Sequence, residues 1–441
     1  MSAASRTFDD NRSVWTVDAA PDTAAPPLAR DLTVDVAIIG GGFTGVSTAY
    51  QLARRNPGLG IALVEARALG NGASGRSGGQ MLTGIRPDPD VDQRVSEYEI
   101  TRAAIDDLMA LIREHGLQVR HRRDGALRVT TTAEAAEATH AETEQLAARG
   151  LPLRFVPSSA LGDRLRARGA TGAVFDPSEG VLNGVDLIRA MRPLLVAQGV
   201  AIHESTPVHR VRQGEVIELE TAGGTVRARA VVLATNGYTP RLGFFKTGIL
   251  PVISHVIATA PLDDDTRARG FGTTSAFSDD LPRLAYASID QAGRLVFGGG
   301  TNTAYGYRFG NRTAVAAHPG DRPARALHRS LTGYFPGLAE VPIEHRWSGP
   351  LGVTMARHCG IGVMGSHGNI YYGVGYSGHG VVLANLAGRV IADLHAGDHD
   401  RWRDACFYNY QPRGIPPEPM RWFGYHAYTR LTGRSAFKRL D

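Results

Sequence analysis

Three glycines and one glutamate in the segment VDVAIIGGGFTGVSTAYQLARRNPGLGIALVEA have the types and spacing to hold a dinucleotide. Gly40, Gly42 and Gly45 form G-x-G-x-x-G between an apolar β-branched run and a run of helix formers. The first glycine permits a tight turn, the second leaves space for a pyrophosphate against the backbone, and the third lets the helix pack on the strand. Amide groups at the helix start then face the phosphates. Glu65 follows at the end of the next apolar run. Its carboxylate is placed to accept hydrogen bonds from ribose hydroxyls, and its charge disfavours a 2′-phosphate.

Three later stretches select FAD over a nicotinamide. The small-residue loop GASGRSGG, residues 72–79, follows the ribose acid and suits a chain running along the pyrophosphate towards a flavin ring. VVLATNGYTP ends a strand in small residues after a hairpin at whose start Val208 is placed to cover the adenine. GVGYSGHGVVLANLAGRVIADL begins a helix at a glycine turn, so that its positive end faces the flavin edge where reduced flavin carries negative charge; such an end contributes roughly 0.3–1 kcal/mol. Outside these stretches the chemistry-bearing residues are scattered. His255 lies in PVISHVIATA, Tyr286, Tyr305 and Arg308 flank LVFGGG, and neither a nucleophile elbow nor a triad is present. His358 and His367 lack the spacing of metal ligands.

The elements that must position these residues follow from periodicity. Strands are expected over 34–39 and 61–65, with a helix over 44–55 between them. Helices are expected over 91–115, 133–149 and 185–198, a hairpin around Asp124-Gly125, strands between Val208 and Ala234, and antiparallel strands over 250–260 and 294–298. A strand, a glycine turn and a long helix close the pattern from Asn369. The 441-residue length exceeds one ordinary core. Hydrophobic residues are 43% and charged residues 21%, as in a soluble globular protein. The net charge of +5 comes from dispersed arginines, which argues against a nucleic-acid arm. Two cysteines without a CxxC fit a reducing cytoplasm. The N-terminal stretch has no apolar core of a signal peptide and reads as an arm on the surface. No apolar run is long enough to span a membrane.

The stretches DVAIIGGGFTGVSTAYQLAR, GASGRSGGQM, VVLATNGYTP, LVFGGG, HRWSG and GVGYSGHGV resemble the D-amino-acid oxidase superfamily of two-domain FAD amine oxidases, most closely its gamma-glutamylputrescine oxidase-like group. The resemblance implies an α/β fold of mixed α+β character: a Rossmann-like FAD domain from residues 31–90, 150–240 and 341–441, and an antiparallel-sheet substrate domain from residues 91–149 and 241–340, after an N-terminal arm over 1–30. It implies that FAD is lined by Gly42, Phe43, Thr44, Glu65, Ala66, Arg67, Gly72, Ala73, Ser74, Arg76, Gly79, Gln80 and Met81. Val208, Thr235, Asn236, Gly237, Gly375, Tyr376, Gly378, His379, Gly380 and Val381 join them, with Trp347 and Ser348 near the ring. His255, Trp347, Tyr286 and Arg308 are the candidate catalytic residues. The implied reaction is hydride transfer from an amine to non-covalently held FAD, with an imine product and oxygen as acceptor; a dehydrogenase using another acceptor, or a tailoring flavoenzyme of a biosynthetic pathway, would share this pattern. Two departures bear on the substrate. Gly300 follows FGG where relatives carry arginine, and Pro350-Leu351 stand where amino-acid oxidases place a carboxylate-binding arginine.

Overall fold

The apolar alternation of VDVAII places Val36 and Ile38 on one face of a strand and Ala37 and Ile39 on the other. Both faces are covered. In the computed structural model, which describes residues 11–85, 90–314 and 320–432, Leu32–Ile39 is the centre of an eight-stranded sheet. It pairs in parallel with Ile61–Val64 on one side and Gly224–Leu233 on the other. Ala201–His203 extends the sheet beyond Ile61–Val64, and Ile370–Val374 runs parallel to the C-terminal half of Gly224–Leu233. Helices Phe43–Arg55, Val91–Glu114, Gly184–Ala197 and Gly380–His395 pack over the Val36–Ile38 face. Ile38, Leu52 and Leu63 are fully buried there, and each such side chain contributes about 1.5–3 kcal/mol. The Ala37–Ile39 face is closed by Ile217, Leu219, Phe244 and Tyr372.

A second sheet of nine strands runs Tyr305–Tyr307, Leu250–Pro261, Arg294–Gly298, Tyr286–Ile289, Ala276–Asp279, Ala126–Thr130, Gly172–Asp176 and Arg154–Pro157, with Ile343–Val353 along the other side of Leu250–Pro261. It is antiparallel but for the pair Ala276–Asp279 and Ala126–Thr130. Helix Asp321–Tyr334 covers one face through Leu327, Leu331 and Tyr334. The opposite face carries a straight row in register, Arg128, Ser278, Tyr286, Gly298, Val256 and Trp347.

The structure departs from the sequence reading in several places. Asp124-Gly125 does not turn a hairpin. His121–Arg122 pairs with Gly180–Leu182 in a three-stranded sheet, while Ala126–Thr130 enters the nine-stranded one. Gly125, at φ +78°, donates its amide to the Glu179 carbonyl instead of closing a local ladder. Of the N-terminal arm within the described residues, the stretch 19–30 lies mostly at the surface, but its beginning does not. Val14 and Trp15 are buried, and Asn11, Ser13 and Trp15 reach into the fold; residues 1–10 lie outside the described residues. Sheet membership also cuts across the expected segments. Residues 154–157, 172–176 and 343–353 are strands of the second sheet, because they find their ladder partners there. Helix Val91–Glu114 buries Ala104, Ile105, Leu108 and Ile112 in the core of the first sheet's helical layer. Among the described residues no helix is long and apolar enough to cross a membrane.

Candidate FAD and substrate site

The parallel strands of the first sheet end at one edge. Gly40 donates to the Val64 carbonyl, Ala234 to that of Ile39, and Glu65 to that of His203. Turns at this carboxyl edge are where doubly wound sheets bind nucleotides. Gly40 has φ +106°, and a Cβ there would stand 2.8 Å from the Ala234 carbonyl oxygen. A Cβ on Gly45 would fall 1.8 Å from the Gly40 carbonyl oxygen. Both positions therefore require glycine. The amides of Thr44 and Gly45, in the first turn of helix Phe43–Arg55, meet no protein acceptor among the described residues, as an anion-holding helix start demands.

Glu65 is half-buried, and its carboxylate shapes this turn. Oε2 accepts from the Gly41 amide at 2.7 Å and Oε1 from the Arg67 amide at 2.9 Å. Burial raises its pKa, the two amides oppose that rise, and the nearby Glu204 charge adds to it. The loop carrying Val208 is drawn alongside, because Thr206 donates to the Glu65 carbonyl and Ser205 to that of Arg67. Tyr238 is near enough to feel the charges of Arg76 and Glu65. Its buried hydroxyl has no partner, and burial pushes its pKa up to about 12.

The loop over residues 71–81 joins the two sheets. Arg76 donates to Ser348 O at 2.9 Å and to Asn71 O at 3.1 Å, and its own carbonyl accepts the Trp347 indole N–H at 2.9 Å. Gln80 donates to the carbonyls of Ala287 and Phe277, at 2.8 and 3.2 Å. A Cβ on Gly78 would meet the Tyr286 ring at 2.7 Å. From the other side the N-terminal arm clamps the loop. Ser13 donates to Gly75 O, Trp15 Nε1 to Ser77 O at 2.7 Å, and Asn11 Nδ2 to Ser348 O at 2.8 Å.

The last wall is the turn after Ile370–Val374. Asn236 accepts from the Gly375 amide at 2.9 Å, and a Cβ on Gly237 would meet the Leu351–Gly352 backbone at 3.2 Å. Gly375 and Gly378 have φ +77° and +106°. His379 caps helix Gly380–His395, its Nδ1 buried without a partner. Burial, followed by the charges of Arg128 and Arg357, lowers its pKa to about 4, so it is neutral at physiological pH.

The residues expected to line FAD lie in these turns at the carboxyl edge and in the 71–81 loop, with Gln80–Met81 paired to Gly180–Leu182 in the three-stranded sheet. Phe43, Met81, Val381 and Trp347 are buried in hydrophobic cores, and the Tyr376 hydroxyl is taken by Thr44 Oγ1 at 2.7 Å. Such residues offer backbone, while Tyr238 and His379 offer unused polar atoms. Among the candidate catalytic residues, Trp347 and Tyr286 share the face towards the 71–81 loop. His255 and Arg308 do not join them. His255 adjoins Val256 in the same strand and so lies on the opposite face; burial and the Arg308 charge lower its pKa to about 4. Arg308 is exposed and donates to Ala314 O. Sequence reading missed Tyr238, although it directly follows Thr235-Asn236-Gly237, and missed Trp15, a lone large aromatic in a Pro/Ala/Asp-rich stretch. It also missed Arg128, held at 2.8 Å by the buried Glu179.

A glycine turn with uncommitted helix amides, an acid at the next strand end and a loop binding both sheets define a dinucleotide-dependent oxidoreductase architecture. A family model described as FAD dependent oxidoreductase (DAO) matches residues 35–394, and the chain belongs to that family. It is 29% identical over 391 residues to gamma-glutamylputrescine oxidoreductase of Escherichia coli, covering 85% of this chain and 86% of that protein. It is 30% identical over 390 residues to a probable oxidoreductase, OrdL, of Rhizobium meliloti, covering 84% and 85%. The crystal structure of glycine oxidase from Geobacillus kaustophilus has the same fold, with a TM-score of 0.74 at 21% identity over 87% of this chain and all of that one. The protein is accordingly an FAD-dependent enzyme.

Proposed function

We propose that the enzyme oxidises the C–N bond of a small amine held between FAD and the second sheet. The observation that carries this reading is the register row ending in Tyr286, Gly298, Val256 and Trp347, which brings the second sheet directly against the 71–81 loop through the Trp347 indole on Arg76 O and the Tyr286 ring beside Gly78. The similarity to an oxidoreductase of gamma-glutamylputrescine supports an amine as substrate. Bound FAD supplies a two-electron acceptor for the hydride on the carbon beside nitrogen. The amine loses that hydride and a proton and becomes an imine. Water converts the imine to a carbonyl compound and an amine or ammonia. Molecular oxygen takes two electrons and two protons and leaves as hydrogen peroxide.

The chain's own residues bind and orient. Gln80 and Arg76 fix the loop against the sheet, which fixes the distance between cofactor and substrate walls. The buried Tyr286 phenol, its pKa pushed up to about 12, is neutral and lies within reach of Ser254. Desolvating walls favour the neutral amine over the ammonium ion, leaving the nitrogen lone pair free to assist hydride loss. His255, on the far face, is not assigned as a base. Gly300 has φ +73°, and a Cβ there would meet Ser330 Oγ at 2.3 Å, so no arginine fits at that position. With Pro350-Leu351 at the other expected arginine position, an α-carboxylate beside the reacting carbon lacks a bidentate partner there. The substrate in this reading is an amine whose acidic group, where present, lies away from that carbon.

The test is an amine panel read by anaerobic flavin bleaching and by peroxide release in air. Gamma-glutamylputrescine, ω-amino acids and alkylamines are expected to reduce the flavin faster than glycine, sarcosine or D-alanine. Bleaching by none of the amines would overturn the reading. Turnover with a quinone but no peroxide would favour a dehydrogenase, the alternative that the same walls allow. The flavin is proposed to be non-covalent. Cys359 is buried in the helical core with its thiol pKa raised by desolvation, and acid precipitation is expected to leave the flavin in the supernatant.

A further inference from the structure

Several arginines have carboxylate partners. Arg128 pairs with Glu179, Arg294 with Asp290, and Arg192 with Glu204. Arg283 differs. It lies in the turn between strands Ala276–Asp279 and Tyr286–Ile289, half-buried, and no carboxylate pairs with it among the described residues. Nε donates to the neutral Asn302 Oδ1 at 3.0 Å, and Nη2 is buried.

The surroundings are aromatic. The guanidinium carbon is 5.7 Å from the Tyr428 ring centroid on the C-terminal helix Met420–Thr432. Tyr425 of the same helix lies beside Arg283 as a neutral hydrogen-bonding neighbour of its guanidinium. Asn302 anchors this helix by donating to Thr429 O at 3.0 Å. On the inner side, a Cβ on Gly298 would meet the Tyr286 hydroxyl at 2.2 Å and one on Gly299 would meet the Tyr305 hydroxyl at 3.0 Å. The two phenols therefore stand side by side over these glycines, and Tyr305 senses the Arg283 charge.

A guanidinium partly withdrawn from water with only neutral partners is costly unless an anionic ligand compensates its charge. We propose that Arg283 binds a carboxylate at the far end of the amine substrate, under a roof made by helix Met420–Thr432 with Tyr425 and Tyr428. This rests on the amine-oxidation reading above and adds to it a specificity-determining residue. Arginine suits the role because its planar fork matches a carboxylate.

The test uses holoenzyme and two amines of equal chain length, 5-aminovalerate and pentylamine. The quantity read is the ratio of their kcat/KM values. Arg283→Gln is expected to lower the ratio about 10- to 100-fold, and Arg283→Lys to lower it less, since the charge remains without the fork. Glutarate, added as a non-reacting ligand, is expected to perturb the wild-type flavin spectrum and to bind the Gln variant correspondingly more weakly. An unchanged ratio together with an unchanged glutarate affinity would overturn the assignment, as would a wild-type protein indifferent to both carboxylates. A protein whose flavin no amine bleaches, yet which binds glutarate through Arg283, would instead overturn amine oxidation and leave the anion site standing.

Discussion

The site has two ends of opposite construction. Where the N-terminal arm meets the 71–81 loop, donors are matched to acceptors within the chain: Trp15 to Ser77, Ser13 to Gly75, Arg76 to Ser348 and Trp347 to Arg76. Where the second sheet meets the C-terminal helix, the Arg283 guanidinium has only neutral neighbours, Asn302, Tyr425 and Tyr428. A wall that satisfies itself holds its shape before any ligand arrives. A wall that keeps polar groups or charge in reserve is matched only by what it binds. The wall built by the arm and the 71–81 loop is thus preformed, whereas the Tyr238 hydroxyl and His379 Nδ1 elsewhere in the site are left, like the charge of Arg283, for what it binds.

The largest test of this contrast is Trp15→Ala. Removing a buried indole and its hydrogen bond should cost about 3–5 kcal/mol, seen as a fall in Tm and in flavin retained through gel filtration. A variant that melts with the wild type would show that the arm merely rests on the loop. Next comes Glu65→Ala, which removes the acceptor of two turn amides and of the proposed ribose hydrogen bonds. FAD affinity, titrated on apoprotein, should weaken by about 1.5–3 kcal/mol, roughly 10- to 150-fold; an unchanged affinity would separate Glu65 from the cofactor. The smallest effect is a pH dependence. Burial lowers His379 to about 4 from an ordinary value of 6.5, and lowers His255 similarly. The unfolded chain then binds protons more readily than the folded one between these values, so stability should decline as pH falls from about 6.5 towards 4. Tm measured against pH should decline less steeply for His379→Gln than for the wild type, and parallel curves would remove His379 from the account.

How legible these features were depended on how local they are. Gly40, Gly45 and Glu65 were readable because a turn, a helix contact and a strand end repeat the same spacing wherever dinucleotides bind. The Asp124-Gly125 signal was read as a hairpin because the dipeptide favours one, yet Gly125 spends its amide on Glu179, far along the chain. The arm was read from its polar composition, which cannot reveal that one tryptophan fits beneath a loop more than sixty residues away. The His255 strand was found, but which of its faces meets the cofactor loop is set by the neighbouring Trp347 and Tyr286 strands. Arg283 gave no signal, because the lack of a carboxylate partner is a property of the folded surroundings alone.

The proposed cofactor cradle is assembled from turns near residues 40, 65, 72, 236 and 375, and the last of them follows the strand Ile370–Val374. During synthesis the Gly224–Leu233 strand therefore emerges long before the partner that covers Val231, Val232 and Leu233. Until that partner leaves the ribosome, the nascent chain presents a hydrophobic, unpaired sheet edge of the kind that invites pairing between chains. Truncation before residue 370 is thus a route to aggregation as well as to lost flavin, and a chain interrupted there would be an early client for chaperones.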